Sequence, residues 1–381
     1  MHAESDETVW RPLHGVKVLD LTTMLPGPFA SQILVDLGAT VIKVERSPGG
    51  DAMRHIQPHM FESFNRGKSS IALDLKNPAD VEVLLSLAAE ADVFMEGFRP
   101  GVLERLGVGF AAISAKQPKV VYVSLSGWGQ SGPLVNDPGH NGTFMARSGA
   151  TFLTGEPSSP PGDAPVPVGD LGASLYAVIG ILAALRDPHR TARQLDVSLF
   201  GSVLSFMTPR LAEYIGSEAT SREDVMLRPA NGVFAVADGY VLIAAVEDHF
   251  WGPLCRALGL DDLAADGELA RYELRKARAS ELNERISRAV ADRGRDELVD
   301  LLRAHDVPVS PVLSPVEVMS DAQVIHLGRL ASDRPVRSFV PIDGVKLVEA
   351  GDTEPLDASG PAIRAEGWSA RAANPFPSDA G

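Results

Sequence analysis

Short runs of aliphatic and β-branched residues recur through the first 130 positions of the chain, and helix-like segments separate them. The predicted strands are VKVLDL (16–21), TVIKVER (40–46), SSIALDL (69–75), ADVFMEGF (91–98) and KVVYVSLS (119–126). Helices are predicted over 28–37, before the stop at Gly38, and over 78–89, after the N-cap Asn77. Strands that alternate with helices predict an α/β fold with a doubly wound parallel sheet.

The pattern changes in the second half of the chain. GASLYAVIGILAAL (172–185) predicts an apolar helix that is too short to span a membrane. Residues 208–230 are polar and indicate a linker. Alternating residues on both sides of Asp238-Gly239 predict a β-hairpin, and the charged stretch 263–305 predicts helices. A smaller α+β domain is therefore expected after the linker.

Length, charge and cysteine content limit the number of domains, the partners and the cellular location that can be expected. The 381 residues exceed what one core usually fills, so two domains are expected. The 50 acidic residues outnumber the 35 basic ones and give a net charge of −15, which argues against nucleic acid as a partner. A single cysteine, Cys255, excludes an internal disulfide and a thiolate metal site. An acidic N-terminus and the lack of a long apolar run predict a cytoplasmic protein without a membrane partner.

Several standard catalytic motifs are absent from the sequence. The first strand-to-helix turn, MLPGPFA (24–30), lacks the G-x-G-x-x-G fingerprint, so no NAD is expected. The chain also lacks a P-loop, a G-x-S-x-G elbow and an H-E-x-x-H zinc motif. The sequence therefore predicts neither a nicotinamide cofactor nor a metal.

The order of several sequence blocks resembles the class III coenzyme A transferase and α-methylacyl-CoA racemase superfamily. The matching blocks are LHGVKVLDLTTMLPGPFASQILVDLGATVIKVERSPGGDAMR (13–54), FNRGKSSIALDLK (64–76), DVFMEGFRPGVLERLGVG (92–109), VYVSLSGWGQSGP (121–133) and VGDLGAS (168–174). This resemblance implies an enzyme that acts on the acyl group of an acyl-CoA substrate. Coenzyme A would be part of that substrate, and no other cofactor is implied.

The resemblance also implies a domain arrangement. The large coenzyme A-binding α/β domain would span 1–207, the linker 208–228 and the small α+β domain 229–328. The segment 329–381 would return to the large domain. Members of this superfamily form interlocked homodimers, so a second copy of the chain is the expected partner.

Cations follow the ends of predicted strands, where ligands bind in open α/β sheets. They are Arg46, Lys76, Arg99 and Arg105. Coenzyme A carries phosphate groups, so its site needs cations and exposed backbone amides, although any one of these side chains could be a solvated surface charge. By their positions in the matching blocks, the implied coenzyme A contacts are Arg46, Leu73, Lys76, Phe98 and Arg105. Residues implied to line the adenine or pantetheine path are Thr23, Met24 and Leu25.

Asp170 lies directly before the predicted apolar helix. From the residues alone, a carboxylate at this place is a helix N-cap. The resemblance implies instead that Asp170 is the catalytic carboxylate, which attacks the thioester in transferases and exchanges the α-proton in racemases. The N-cap role and the catalytic role are compatible, because the dipole of the helix favours the ionised form of a carboxylate at its N-terminus.

His140 and Glu247 favour the racemase branch. Racemases that resemble this sequence carry a histidine and a glutamate at these positions, whereas transferases usually carry other residues; taken alone, the two would be a loop histidine and a surface acid. The chain also lacks the glycine-rich loop that shields the anhydride in many transferases. The main prediction is a 2-methylacyl-CoA racemase with His140 and Asp170 as its two bases and Glu247, from the other subunit, orienting the imidazole.

Two alternatives stay open. A class III coenzyme A transferase would move coenzyme A between carboxylic acids through an anhydride on Asp170. A non-catalytic coenzyme A-binding protein would keep the cations and tolerate the loss of this carboxylate. One departure from the racemase pattern is Asn141, since racemases usually carry aspartate after the histidine.

Overall fold

The protein was analysed as a computed structural model, which describes residues 9–157, 159–215, 221–327, 346–347 and 350–371. The chain forms two compact units, a larger one of residues 1–154, 161–215 and 334–381 and a smaller one of residues 155–160 and 216–333. The division after residue 215 falls inside the polar stretch 208–228. Short helices at Thr208–Tyr214 and Arg222–Met226 occupy part of this stretch.

The strands and helices of the described residues have the following bounds. The strands are β1 (Val9–Trp10), β2 (Lys17–Leu21), β3 (Thr40–Arg46), β4 (Ser69–Leu73), β5 (Val93–Glu96), β6 (Val121–Ser126), β7 (Arg193–Ser198), β8 (Asn231–Val236), β9 (Gly239–Ala244), β10 (Val309–Pro311) and β11 (Lys346–Leu347). The helices are α1 (Pro26–Asp36), α2 (Met53–Ile56), α3 (Pro58–Phe64), α4 (Pro78–Ala88), α5 (Val102–Arg105), α6 (Phe110–Lys116), α7 (Asn141–Arg147), α8 (Val168–Arg186), α9 (Leu199–Phe206), α10 (Thr208–Tyr214), α11 (Arg222–Met226), α12 (Asp248–Ala257), α13 (Asp261–Ala265), α14 (Tyr272–Lys276), α15 (Ala279–Val290), α16 (Arg295–Ala304), α17 (Pro315–Val318), α18 (Ala322–His326) and α19 (Gly360–Glu366). Short 3₁₀ helices lie at Thr151–Leu153, Gly267–Ala270 and Gly367–Arg371.

A six-stranded parallel sheet forms the centre of the larger unit. Its strand order is β4-β3-β2-β5-β6-β7, and every neighbouring pair is parallel. The predicted strand TVIKVER has the observed bounds of β3, because its β-branched residues alternate between two buried faces. The predicted parallel α/β fold is confirmed.

Helices cover both faces of this sheet. Val18, Val41 and Val121 point to one face, where α1, α7, α8 and α9 pack. Their neighbours along each strand, such as Leu19 and Tyr122, point to the other face, where α4, α6 and α19 pack. The sheet is therefore buried on both sides, as expected of a doubly wound fold.

Helix α8 is longer than the sequence pattern predicted. It extends from Val168 to Arg186, 19 residues, and is therefore long and apolar enough to span a membrane by length and composition alone. The interpretation that it is too short to do so was wrong, because the helix begins before Gly172. Ala173, Ala177 and Ile181 are fully buried against the sheet, so one side of α8 serves as a core helix.

The smaller unit has its own core. Strands β10, β9 and β8 form an antiparallel sheet, in which β8 and β9 are the predicted hairpin. One face of this sheet packs on helices α12, α15 and α16 through residues such as Trp251, Ile286 and Leu302. Cys255 is fully buried in this core, as its apolar surroundings predicted.

The C-terminal segment covers the edge strand β4 of the larger sheet. The Ser70 amide donates to Glu354 Oε2 (2.9 Å), and the Ala72 amide donates to Asp357 Oδ1 (2.8 Å). Further along the same edge, the Asp74 amide donates to Asp80 Oδ2 (2.8 Å). Carboxylates thus satisfy alternate amides that an uncovered edge strand would leave free.

Removal of the Glu354 carboxylate is expected to destabilise the protein. Glu354→Ala leaves the Ser70 amide without this acceptor, which should lower the free energy of unfolding by about 1–3 kcal/mol. Denaturant unfolding measures this change, and hydrogen exchange should show faster exchange at Ser70. Glu366→Ala, on the exposed side of α19, is the control and should change stability by less than about 0.5 kcal/mol. Equal stability of the two variants would contradict the covering role.

Candidate active site

A cavity of about 500 Å³ opens at the carboxyl ends of β2 and β5 in the larger unit. These strands are neighbours in the sheet, but the chain continues from β2 to β3 on one side and from β5 to β6 on the other. Such a switch point leaves a crevice between the two diverging loops, which is where open α/β sheets bind ligands. The turn Thr23-Met24-Leu25 forms one wall, and Phe98-Arg99 contributes to the other.

Much of the cavity wall is apolar. The apolar side chains include Met53, Met60, Trp128, Val135, Phe144 and Leu199. Charged or titratable side chains reach it from Arg99, Asp137, His140 and Asp170. A mostly apolar cleft with a few placed polar groups is typical of a small-molecule site.

Asp170 lies in the first turn of α8 and lines this cavity. The N-cap of α8 is Pro167, so the interpretation of Asp170 as the N-cap residue is wrong. Its side chain is half-buried, and desolvation raises the pKa of Asp170 to about 6, while the nearby His140 opposes this rise. No hydrogen bond to its carboxylate oxygens comes from any residue that the structure describes. The carboxylate is thus available to a ligand and weakly solvated.

His140 lies beside the same cavity at the N-cap position of α7. Its ring is exposed, and its backbone amide donates to Thr143 Oγ1 at 3.0 Å. Two residues that the sequence analysis assigned to catalysis, His140 and Asp170, are therefore brought to one cavity. They come from the N-termini of two different helices.

Asn141 connects these two helix N-termini. Its Oδ1 accepts a hydrogen bond from the Gly169 amide at 2.8 Å, directly before Asp170. A Cβ atom on Gly169 would lie 3.0 Å from this oxygen and 3.0 Å from Val203 Cγ2, so glycine permits the close approach. Asn141 therefore caps α8 from outside the helix and adds no charge beside Asp170. The contact requires an acceptor oxygen at position 141, which asparagine supplies without a charge.

The predicted coenzyme A contacts lie at the same end of the sheet but not all on the cavity wall. The strand register places Arg46 opposite Leu73, and Lys76 follows the end of that strand. The Leu73 side chain is buried in the core, and its carbonyl accepts a hydrogen bond from the Ser47 amide at 3.0 Å. The cavity wall does not include Arg46, Lys76 or Arg105.

The four cations Arg46, Lys76, Arg99 and Arg105 share one property. All are exposed, and across the described part of the chain none forms a salt bridge with a carboxylate. Unpaired cations at neighbouring strand ends suit a ligand that carries phosphate groups.

Glu247 belongs to the smaller unit, whereas Asp170 and His140 belong to the larger one. Glu247 is exposed and occupies the N-cap position of α12. The fully buried Arg275 holds the residues on both sides of it, donating to the Val246 carbonyl at 2.8 Å and pairing with Asp248 at 3.0 Å. The segment that carries Glu247 is thus anchored within its own unit.

Part of this site has no signal in the sequence. Met53 and Met60 come from α2 and α3, and Gln57 lies between these two helices, whose short sequences carry no clear helical periodicity. The Asn141 contact joins positions 28 residues apart, so no local pattern shows it. Among the described residues, no group of three or more His, Cys, Asp and Glu side chains could hold a metal ion.

Comparison with known proteins identifies the family. The model of CoA-transferase family III matches residues 13–355. This chain belongs to CoA-transferase family III. The chain is 35% identical over 341 residues to a mouse (Mus musculus) succinyl-CoA:glutarate CoA-transferase, with 85% of this chain and 77% of the relative covered. It is also 32% identical over 374 residues to an acetyl-CoA:oxalate CoA-transferase of Acetobacter aceti, covering 93% and 95%.

A solved structure supports the same relationship. The crystal structure of a CAIB/BAIF family protein from Brucella suis matches with a TM-score of 0.82 and 31% sequence identity, covering 93% of this chain and 99% of that chain. The family resemblance in the sequence blocks is therefore confirmed. Because both curated relatives are named as transferases, the comparisons favour the transferase alternative over the racemase prediction.

In this family III protein, the neutral cap Asn141 is expected to tune the acidity of Asp170. Asn141→Asp keeps an acceptor for the Gly169 amide but places a second negative charge nearby, so the pKa of Asp170 should rise above about 6. At a given pH below neutrality, a smaller fraction of Asp170 would then be ionised. Carbon NMR of protein labelled at the aspartate carboxyl, with Asp170→Asn to assign the signal, measures this pKa.

Asn141→Ala is the matched variant for this measurement. It removes the hydrogen bond without adding charge, so it should destabilise the start of α8 by about 1 kcal/mol and raise the pKa of Asp170 less. An unchanged Asp170 titration in Asn141→Asp would show that the two side chains do not interact.

Proposed function

We propose that this protein is a coenzyme A transferase in which Asp170 is the nucleophile that attacks an acyl-CoA thioester. The observation that carries the proposal is the half-buried Asp170 carboxylate in the cavity at the switch point. Membership of CoA-transferase family III and the transferase names of the compared relatives support it.

The first half of the proposed reaction loads coenzyme A onto the protein. The Asp170 carboxylate attacks the thioester carbonyl, and the carbon–sulfur bond breaks to give an acyl–aspartyl anhydride and the coenzyme A thiolate. The thiolate then attacks the aspartyl carbonyl of the anhydride. The donor acid leaves as its carboxylate, and Asp170 becomes a thioester of coenzyme A.

The second half reverses these steps with a different acid. The acceptor carboxylate attacks the aspartyl thioester, which releases the thiolate and forms a second anhydride. The thiolate attacks the acceptor carbonyl, so the new acyl-CoA leaves and the Asp170 carboxylate is restored. Bonds and charges balance without a metal, a nicotinamide or any cofactor other than coenzyme A.

The surroundings of Asp170 suit this role. A pKa of about 6 leaves the carboxylate ionised at neutral pH, while partial burial removes much of its hydration and makes it a better nucleophile. Its position in the first turn of α8 is near the positive end of the helix dipole, which would stabilise the developing negative charge. The exposed cations Arg46, Lys76 and Arg105 are proposed to bind the phosphates of coenzyme A, as the family resemblance implies.

We propose small dicarboxylic acids as the exchanged substrates. Glutarate and oxalate, in the names of the compared relatives, are both dicarboxylates. Arg99 and His140 line the same cavity as Asp170, where Arg99 offers positive charge and the His140 imidazole offers a hydrogen bond to a second carboxylate. The rest of the wall is largely apolar, which suits a short hydrocarbon chain.

A racemase remains the second candidate because His140 shares the cavity with Asp170. Two titratable groups in one cavity are the minimum that two-base proton exchange needs. In this candidate, Glu247 of the partner subunit would orient the imidazole. No aspartyl intermediate would form.

Trapping on Asp170 distinguishes the two candidates. With succinyl-CoA alone, borohydride should reduce the aspartyl thioester to an alcohol, so that Asp170 becomes homoserine in the peptide mass spectrum. Asp170→Asn should lose at least about 10³-fold in transferase activity. Asp187→Asn, at the other end of α8, is the control and should keep activity and trapping.

The same preparation should be incubated in D2O with a 2-methylacyl-CoA. Unlabelled Asp170 together with deuterium at the α-carbon would replace the transferase proposal with the racemase. Unlabelled Asp170 without deuterium would contradict both.

We also propose that the protein is a homodimer of the interlocked kind that the family resemblance implies. The side of α8 that faces away from the core exposes Leu175, Tyr176, Ile179 and Leu182, and Tyr176 packs near Phe206 of α9 with ring centroids 5.8 Å apart. An exposed apolar surface of this kind typically marks a site that binds another protein surface or a membrane. For an enzyme that the sequence predicts to be cytoplasmic, a second copy of the chain is the proposed cover.

A charge in the middle of this surface is expected to prevent dimerisation. Ile179 is 60% exposed, so Ile179→Glu should not disturb the core of one chain. Because interlocked chains cannot separate while they are folded, the variant is first unfolded and refolded, and it should then sediment as a monomer whereas the unsubstituted protein returns to a dimer. Ile325→Glu, at a 62% exposed position on α18, is the matched control and should remain dimeric. A monomeric unsubstituted protein, or one that binds lipid vesicles instead of itself, would contradict the proposal.

A further inference from the structure

A buried ion pair lies behind the cavity wall. Lys43, in the middle of β3, and Asp51, in the loop after it, are 1% and 0% exposed, and Lys43 Nζ lies 3.2 Å from Asp51 Oδ2. Neither side chain lines the cavity. A buried pair is weak evidence for stability by itself, because desolvation offsets much of its attraction. Its other contacts therefore decide what it does.

Both members of this pair bind the backbone of the turn after β2. Lys43 Nζ donates to the Thr22 carbonyl at 2.9 Å. The Met24 amide donates to the two carboxylate oxygens of Asp51, at 3.3 and 3.2 Å. The ion pair thus holds the two peptide groups that flank Thr23, one through its carbonyl and one through its amide.

The backbone of this turn has a conformation that is unfavourable for methionine. Met24 has φ of +66°, in the left-handed region, which costs a residue with a side chain roughly 1–2 kcal/mol relative to its usual conformations. Thr23, Met24 and Leu25 line the cavity in this conformation. A tether on each side of Thr23 compensates for that cost.

Asp51 is itself fixed by its neighbours. Its amide donates to Glu45 Oε2 at 3.0 Å, and its Oδ1 accepts from the Met53 amide at 3.0 Å. Glu45 is in turn paired with Arg54 at 2.7 Å. The carboxylate therefore has little freedom to follow the turn if the turn moves.

We infer that Lys43 and Asp51 are positioning residues that hold the Thr23-Met24-Leu25 turn in the conformation that binds the acyl-CoA substrate. They act through the turn and do not touch the ligand. The inference rests on the proposed function insofar as it takes a coenzyme A thioester as the ligand.

A double-mutant cycle between Asp51 and Met24 tests the inference by titration calorimetry with coenzyme A. Asp51→Asn removes the charge, and if the binding-competent turn falls to about a tenth of the population, Kd should rise about tenfold. In a Met24→Gly background the left-handed φ carries no penalty, so the same Asp51→Asn change should raise Kd much less. Equal effects in both backgrounds would mean that Asp51 is merely structural and would overturn the inference.

Asp92→Asn is the control for loss of an ion pair in the same sheet. Asp92 pairs with Arg190 at 2.8 Å and accepts from the Lys17 amide at the opposite end of β2. This variant should lose stability but keep the Kd for coenzyme A. A Kd raised as much as in Asp51→Asn would overturn the specific role of the turn.

A second pair of variants covers the case in which Asp51→Asn does not fold. Met24→Gly and Met24→Val both remove the thioether, but the β-branched valine tolerates a positive φ least. Weaker coenzyme A binding by Met24→Val than by Met24→Gly supports the inference, and equal or reversed affinities overturn it. Unsubstituted protein that binds no coenzyme A would overturn the proposed function and this inference together, whereas binding that Asp51→Asn leaves unchanged would overturn only the inference.

Discussion

The arrangement of the site depends on one topological constraint, the reversal of strand order between β2 and β5. After these neighbouring strands, the chain continues toward opposite sides of the sheet. The loops after β2 and β5 therefore diverge and leave a gap at the carboxyl ends of the strands. The turn after β2 and the loop after β5 become the walls of a crevice. Asp170 reaches the same crevice because α8 packs on the sheet with its N-terminus at this end.

Carboxylates inside the larger unit serve mainly as acceptors for backbone amides. Asp51 accepts from the turn after β2, Glu96 accepts from the Phe98 amide in the loop after β5, and Glu354 accepts from the edge strand. These three carboxylates therefore hold backbone segments in place. Asp170 differs from these residues, because its oxygens are left for a ligand.

The sequence predicted the elements whose signals are local. The β-branched run of β3 and the Asn77 cap of α4 have their predicted places, and the Asn77 side chain accepts from the Ala79 amide. Features that join distant positions could not be predicted this way. One such feature is the hydrogen bond between Asn141 and Gly169. Another is the set of contacts that Lys43 and Asp51 make with the turn after β2. Both depend on packing between elements.

The choice between reaction types shows the same limit. His140 and Glu247 matched the racemase pattern one residue at a time, yet the whole-chain comparison favours transferases. A residue type at one position indicates which groups are available for chemistry. It does not indicate whether the carbonyl carbon or the α-carbon of a bound thioester faces Asp170, because that depends on the full shape of the crevice.

The C-terminal segment that covers β4 also affects whether the protein aggregates. Strand edges with free amides can recruit strands from other molecules and start ordered aggregates. Here the protection comes from side chains near positions 354 and 357, far from β4 in the sequence, and the segment is also anchored by the Trp368 indole, which donates to the Leu87 carbonyl at 2.9 Å. Proteolytic loss of this tail would uncover the amides of β4 and is therefore expected to promote aggregation.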